Sequence, residues 1–222
     1  ECHPSHISAV SVINPRALEC FSEVVIIAAL FDITPTALIW RHTFKIKIDN
    51  FPDITPDTLY HDPHKEGHRL KIRYLLPEGT EASITRLGKD KGKIAAEVGI
   101  TVASHYGGVA FIYTCNATIR TPDGKRISNP MKAGLASAAN GKHMPTISHG
   151  MNSFEEYSRV CSLAITQPDN SLVERVATLA GISPERARSH YRLATVYQNF
   201  GRCCIRVKGS TGPIEAIVLD KT

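Results

Sequence analysis

Three polar residues near the C-terminal end of the chain have the types and the spacing to bind an anion. Gln198, Arg202 and Arg206 fall at i, i+4 and i+8, so they share one helix face if the helical pattern that begins at Pro184 continues through them. Arginine presents a rigid fork of N–H donors that matches phosphate oxygens. These three residues on one helix face therefore predict a phosphate site. The alternative is a solvated helix face that carries scattered arginines.

Histidine and cysteine residues offer a second possible chemistry, metal binding. Neither of the two groups that could hold zinc has a second half with standard ligand spacing, so no metal is predicted and polar loop histidines are the default interpretation. The two groups are Cys2, His3 and His6, and His61, His64 and His68. The six cysteines include no Cys-x-x-Cys pair, which indicates a reducing, cytoplasmic compartment rather than a disulfide framework.

Length and composition are those of a soluble globular protein. The 222 residues are 42% hydrophobic and 21% charged, with a net charge of +5, and they suit one large domain or one domain plus part of another. The mildly basic balance is compatible with a polyanionic partner. No run of eighteen apolar residues occurs, so no membrane partner is expected. The chain starts at Glu1 without Met, and we interpret it as a piece of a longer protein or a processed one.

Strand-like and helix-like patterns alternate along the chain, which predicts an α/β fold with a mainly parallel sheet flanked by helices. Apolar runs predict strands, and periodic segments with capping signals predict helices. The predicted strands are 8–13, 24–30, 70–76, 109–115, 159–166 and 215–219; the predicted helices are 15–21, 35–41, 84–106, 171–181 (from a capping box at Ser171) and 184 onward. Residues 51–67 read as a linker and 121–148 as a long basic loop.

The segment from Tyr197 to Arg206 resembles motif six of superfamily-two helicases, in particular phage- and plasmid-type members. The usual motif is Gln-x-x-Gly-Arg-x-x-Arg, and here three residues instead of two separate Arg202 from Arg206. Ser148-His149-Gly150-Met151-Asn152, which precedes an apolar strand, is similar to motif five. The 24–32 segment is similar to motif three, and the 70–76 and 109–116 segments to the start of a second RecA-like domain that includes motif four.

This resemblance implies a domain division and a nucleotide. Residues 1–50 would be the end of a first RecA-like domain, 51–67 a linker and 68–222 the second RecA-like domain. The complete protein would bind ATP and Mg²⁺ in the cleft between its two motor domains. Nothing in the chain matches the phosphate loop or the Asp-Glu-x-x acidic motif, so the enzymatic status of this piece is uncertain. We expect the piece alone to bind neither ATP nor Mg²⁺ tightly and to be inactive.

The resemblance also implies roles for individual residues. Arg202 and Arg206 would contact the γ-phosphate and Gln198 would orient water or a phosphate oxygen. Gly150, Asn152 and Gly201 would help to bind the nucleotide. The expected nucleic-acid contacts, with DNA favoured over RNA, are Ser148, His149, Lys125, Arg126, Lys132 and Lys142. The alternatives are a non-catalytic nucleic-acid-binding or regulatory module with a motor-like fold, and a zinc hydrolase that uses the second histidine group.

Overall fold

The computed structural model describes residues 11–26, 30–49, 63–146, 151, 153–166 and 168–221. The chain divides into two compact units, one formed by Glu1–Thr55 with Thr166–Ala194 and the other by Pro56–Ile165 with Thr195–Thr222. Most of the predicted linker at 51–67 lies outside the described residues. The predicted domain division at that linker stays a prediction.

The described residues form helices and strands that largely alternate along the chain, as predicted. The helices are α1 (Pro35–His42), α2 (Ile84–Leu87), α3 (Lys93–Tyr106), α4 (Met131–Ser137), α5 (Asn170–Ala180) and α6 (Pro184–Phe200). The strands are β1 (Leu70–Tyr74), β2 (Phe111–Thr114), β3 (Thr118–Arg120), β4 (Arg126–Ser128), β5 (Gly141–His143), β6 (Arg159–Ser162) and β7 (Ile214–Val218). Short 3-10 helices cover Pro15–Leu18, Phe31–Ile33, Pro63–Arg69, Lys89–Gly92 and Cys204–Arg206.

In the first unit, capping side chains set the helix ends. The hydroxyl of Thr34 accepts a hydrogen bond from the amide of Ala37 at 3.2 Å, and proline follows Thr34 at the first helical position. The hydroxyl of Ser183 caps α6 in the same way, as the sequence predicted. The predicted capping box at Ser171 is wrong, because the N-cap of α5 lies two residues earlier, at Asp169. The carboxylate of Asp169 accepts a hydrogen bond from the amide of Ser171 at 2.9 Å.

The second unit contains a five-stranded sheet in the order β1-β7-β6-β2-β5, and every neighbouring pair is parallel. This confirms the predicted α/β class and the mainly parallel sheet. A separate antiparallel hairpin joins β3 and β4. Alternate residues of the central strands are buried on opposite faces of the sheet, as expected for a sheet that is covered on both sides.

The two faces of the sheet have different covers. The helix face carries Phe111, Tyr113, Cys161 and Ile217, which pack with buried residues of α2, α3 and α4. The opposite face, here called the loop face, carries Ile112, Val160 and Ile214. Its cover comes from irregular segments rather than from a full helix, through Met144, Phe154, Cys203 and Ile205. The loop face is therefore the side of the sheet on which the predicted arginines lie.

Two glycines let α3 and α4 cross closely on the helix face. A Cβ atom added to Gly99 would fall well inside van der Waals contact with the carbonyl oxygen of Met131, and one added to Gly134 would lie 2.7 Å from the carbonyl carbon of Gly99. Both obstacles are backbone atoms, which cannot rotate away as a side chain can. The close crossing therefore depends on the absence of side chains at both positions.

Three of the predicted segments differ from the structure. Val24, Val25 and Ile26 are exposed and form no strand, and 27–29 lie outside the described residues. An apolar run of strand length was the only signal for that strand, and no turn chemistry supported it. The predicted basic loop at 121–148 is also wrong, because β4, α4 and β5 occupy much of it. Of the predicted strand at 8–13, residues 8–10 lie outside the described residues, and 11–13 form no strand.

Candidate anion-binding site

The predicted arrangement of three residues along one helix face is wrong. Helix α6 ends at Phe200, and the amide of Gly201 donates the last regular bond, to Tyr197 at 2.9 Å. The amide of Arg202 then bonds to the carbonyl oxygen of Asn199 at 3.2 Å in a tighter turn, and Cys204–Arg206 is a separate 3-10 helix. Glycine has a low helix propensity, and here the helical hydrogen bonds stop directly after it.

The arginines nevertheless converge, because both bond to the segment that precedes β6. One terminal nitrogen of Arg202 donates to the carbonyl oxygen of Met151 at 3.2 Å, and the other lies 3.5 Å from Oε1 of Gln198. Nη2 of Arg206 donates to Oε1 of Glu155 at 2.6 Å. The structure therefore brings together all three residues that were predicted to bind phosphate, through a turn instead of a continuous helix.

The two arginines lie close enough for their positive charges to interact. Burial lowers the pKa of the Arg202 guanidinium, and the neighbouring positive charge of Arg206 lowers this pKa further. Arginine still stays protonated at any physiological pH. Arg206 pairs with the carboxylate of Glu155, whose side chain is 38% exposed, whereas that of Arg206 is only 14% exposed. Arg202 bonds instead to two neutral oxygens, those of Met151 and Gln198. The guanidinium of Arg202, whose described partners are both uncharged, therefore carries positive charge that an anion could neutralise.

One donor of the pair has no partner among the described residues. The Nε–H group of Arg202 is buried, and no hydrogen-bond acceptor lies within reach in that part of the chain. A buried donor that bonds to nothing costs about 1–3 kcal/mol. A buried donor without a partner in a native structure can be satisfied by a bound water, ion or ligand, so this atom marks a place where an anion could bind.

A buried amide anchors the turn that carries Arg202. Asn199 is fully buried, and its Nδ2 donates to Oγ of Ser162 at 3.0 Å, at the carboxyl end of β6. Ser162 lies beside Thr114 of β2 in the sheet register, so the loop face is polar at this point. Sequence reasoning missed Asn199, because it occupies a position between Gln198 and Gly201 that the motif leaves open. A polar residue on the buried side of a helix end was the available signal.

The chain from Asn199 to Arg206 runs across the loop face from the carboxyl end of β6 toward its amino end. The amide of Cys204 donates to the carbonyl oxygen of Tyr157 at 3.0 Å, two residues before β6 begins. The 3-10 helix Cys204–Arg206 also contacts Pro63–Arg69, which directly precedes β1. Arg206 thus lies near the amino ends of the strands, although open parallel sheets usually bind ligands at their carboxyl ends.

Among the described residues that were predicted to contact nucleic acid, Lys142 lies on the loop face, where it pairs in register with Ile112. Nζ of Lys142 sits 5.3 Å from the ring centre of Phe154 and 5.6 Å from that of Tyr157, next to Glu155. The side chain of Lys142 is exposed, and the faces of the two rings attract its ammonium group.

The other predicted contacts are elsewhere. Lys125 and Arg126 are exposed on the β3–β4 hairpin, where Lys125 pairs with Asp123 at 3.3 Å. Lys132 belongs to α4, which covers the helix face, and its charge contributes, after burial, to the lowered pKa of His143. The described contacts do not join these residues to the arginine pair. Ser148, His149, Gly150 and Asn152 lie outside the described residues.

Comparisons with protein-family models, curated proteins and solved structures found no match to this chain. In the part of the chain that the structure describes, no helix is both long and apolar enough to cross a membrane. The same residues contain no cluster of three or more potential metal ligands, and of the second histidine group the structure describes only the side chain of His68.

Proposed function

We propose that this chain is the C-terminal part of an ATP-dependent nucleic-acid helicase or translocase, with a RecA-like second motor domain that supplies Arg202 and Arg206 to the phosphates of ATP. The observation that carries the proposal is the buried Nε–H of Arg202 that bonds to nothing described, on a guanidinium close enough to Arg206 for that second positive charge to lower its pKa. Like charges held close together are unfavourable unless an anion offsets them.

The residues present fit a polyphosphate. Planar guanidiniums bind phosphate oxygens in pairs of parallel hydrogen bonds, and phosphoryl-transfer enzymes use such arginines to offset charge on the transferred group. ATP with Mg²⁺, bound by the complete protein, would supply the reacting phosphate. Gln198 lies within reach of Arg202, so its amide would be oriented by that side chain. Lys142, on the same face, would contact the nucleic-acid backbone with DNA as the favoured partner.

Calorimetric titration of sodium tripolyphosphate into this chain tests the phosphate site. We expect measurable binding that Arg202→Gln or Arg206→Gln weakens about tenfold or more, because each charge-assisted hydrogen bond contributes roughly 1.5–3 kcal/mol. Arg126→Gln removes an exposed arginine of the hairpin and is the matched control, which should change the affinity less than twofold. Equal losses in all three variants, or no loss in any, would contradict the proposal.

The alternative function is a non-catalytic nucleic-acid-binding module, and one observation favours it. Glu155 already neutralises Arg206 at 2.6 Å, as a purely structural ion pair would. Fluorescence anisotropy with a labelled single-stranded oligonucleotide separates the two. Oligonucleotide binding that Lys142→Gln weakens, in a chain that binds no tripolyphosphate, would select the module over the motor.

A further inference from the structure

Strand β1 lies at one edge of the five-stranded sheet, and no other strand of the described residues pairs with its outer side. Its neighbour β7 pairs with it from Leu70 to Tyr74. The last four residues of β1 are exposed. An exposed edge offers a row of backbone N–H and C=O groups to which another extended segment can bond.

The described hydrogen bonds show which backbone groups of β1 point outward. The amide of Leu75 donates to the carbonyl oxygen of Val218 at 3.1 Å, so the backbone of Leu75 faces β7. Successive residues of a strand direct their backbone groups to opposite sides, so those of Ile72 and Tyr74 face away from β7. The amides of Ile72 and Tyr74 are therefore directed at the position that a further strand would occupy.

The two faces of β1 differ in chemistry. Ile72 and Tyr74 share a face with Leu70, which packs on the loop face, and they are 42% and 46% exposed. Lys71 and Arg73 lie on the helix face and are exposed as well. An added strand would therefore meet two apolar side chains on one face and two cationic side chains on the other.

Positive charge exceeds negative charge beside this edge on the helix face. Lys71 and Arg159 flank Glu215 in the sheet register, one on each neighbouring strand. The carboxylate of Glu215 already pairs with Arg73, and one of its oxygens lies 3.1 Å from Nε2 of His105. Lys71 forms no ion pair with any described residue. Three permanent positive charges thus surround one carboxylate, and a further carboxylate would be attracted to this edge.

A second copy of the chain fits this edge poorly. If two β1 strands paired in antiparallel fashion about Ile72, Lys71 of each copy would lie opposite Arg73 of the other, on the same face. Like charges directly opposite each other destabilise a strand pair, and lysine on an edge strand opposes such self-pairing. A strand with acidic residues at these positions would replace both repulsions with attractions.

We propose that β1 is a docking edge for an extended peptide segment in which acidic and apolar residues alternate. The segment would add one strand to the sheet and bond to the outward backbone groups of Ile72 and Tyr74. Its acidic side chains would lie beside Lys71 and Arg73, and its apolar side chains would cover Ile72 and Tyr74. The inference does not depend on the proposed function, since it uses none of the residues assigned to phosphate or nucleic acid.

NMR titration of the full chain with two short peptides tests the proposal. One peptide alternates Glu and Val and the other alternates Lys and Val, so they differ in charge and share the alternating pattern. We expect the acidic peptide to shift the amide signals of Ile72 and Tyr74 saturably and to bind about fivefold or more tightly than the basic peptide, because cross-strand pairs of opposite charge are favourable. No saturable shift at these two amides, or equal affinity for both peptides, would overturn the proposal.

Two substitutions on β1 separate backbone pairing from charge. Ile72→Pro removes an outward amide and leaves the bonds to β7 intact, because proline is tolerated on an edge strand whose N–H faces solvent, and it should abolish peptide binding. Lys71→Glu should reduce the preference for the acidic peptide about fivefold or more. Lys93→Glu is the matched control, since Lys93 is exposed at the opposite end of α3 from His105, and it should change that preference less than twofold.

Far-ultraviolet circular dichroism checks that the variants fold, and if Ile72→Pro unfolds, Lys71→Glu decides the test. An unchanged preference in folded Lys71→Glu would contradict the proposal. Sedimentation velocity tests the competing occupant, a second copy of the chain. We expect wild type and folded Ile72→Pro to sediment alike, and a wild-type dimer that Ile72→Pro dissociates would assign the edge to self-association and overturn the proposal.

Discussion

Replacing Glu155 with Gln separates an anion site from a structural ion pair. In an anion site the carboxylate competes with the ligand for Arg206, so its removal strengthens ligand binding. In a structural pair its removal only costs stability. The variant keeps the size and hydrogen-bonding capacity of the side chain, so the change is mainly one of charge.

Coulomb's law sets the magnitude. Two unit negative charges that flank one guanidinium, roughly 5 Å apart, repel by about 3 kcal/mol at an effective dielectric constant of about 20. The Glu155 side chain is 38% exposed, so solvent and salt reduce this to the order of 1 kcal/mol, or about a fivefold change in affinity. The lost ion pair with Arg206 should also lower the free energy of unfolding, by about 1 kcal/mol.

The assay pairs tripolyphosphate calorimetry with urea denaturation. We expect Glu155→Gln to bind tripolyphosphate about fivefold more tightly while it unfolds at a lower urea concentration. Glu156→Gln is the matched control, since this exposed neighbour forms no ion pair with Arg206 in the structure, and it should change both readouts little. Unchanged or weaker binding in Glu155→Gln, together with reduced stability, would refute the reasoning and leave the pair a purely structural one.

Three further predictions concern the fold. Gly99→Ala should lower the free energy of unfolding by about 1–3 kcal/mol through a clash with the backbone of α4, whereas Gly108→Ala, where the new Cβ meets nothing within 4 Å, should change it by less than about 0.5 kcal/mol; urea denaturation measures both. Asn199→Leu should cost about 1–3 kcal/mol by the same assay, because it leaves the buried hydroxyl of Ser162 without its donor, and no loss would show the bond to be dispensable. Burial raises the pKa of Glu215, but hydrogen bonds and charge from an arginine and a histidine lower it more, so its folded-state pKa is depressed; its contribution is present above the unfolded pKa of about 4.3 and is lost as pH falls through the folded value. Glu215→Gln should therefore weaken the loss of stability between pH 6 and pH 3, and an unchanged pH profile would exclude this contribution.

The architecture of the second unit was largely predictable from the sequence. The apolar runs at 70–76, 109–115, 159–166 and 215–219 all overlap strands of the sheet, and the alternation of strand-like and helix-like patterns indicated a mainly parallel sheet. The start of α6 was also predictable, because Ser183 followed by proline is a strong local signal. These features depend on residues that are close together along the chain, so a single sequence is enough to predict them.

The failures arose where tertiary contacts decide the structure. The 121–148 segment is rich in small and polar residues, yet it contains α4, whose glycine at position 134 serves a close crossing with α3 that local propensity cannot show. The apolar run that begins at Val24 forms no strand in its described part.

The candidate site was predicted by residue type but not by geometry. Spacing placed Gln198, Arg202 and Arg206 on one helix face, whereas the helix ends before Gly201 and the turn that follows redirects both arginines toward Met151 and Glu155. Glu155 could not have been predicted, since its importance depends on a contact fifty-one positions away in the sequence. The sequence alone was enough to identify the charged residues of the site, but not to predict which residues they contact.

The most direct measurement of the central claim is the NMR signal of the Arg202 Nε–H group during titration with tripolyphosphate. This donor is buried, and no acceptor lies within reach among the described residues, so its resonance should be resolved and sensitive to a new partner. We predict a saturable downfield shift that follows the calorimetric affinity and disappears in Arg202→Lys. A resonance that stays fixed while tripolyphosphate binds elsewhere would contradict the claim that the arginine pair is the phosphate site.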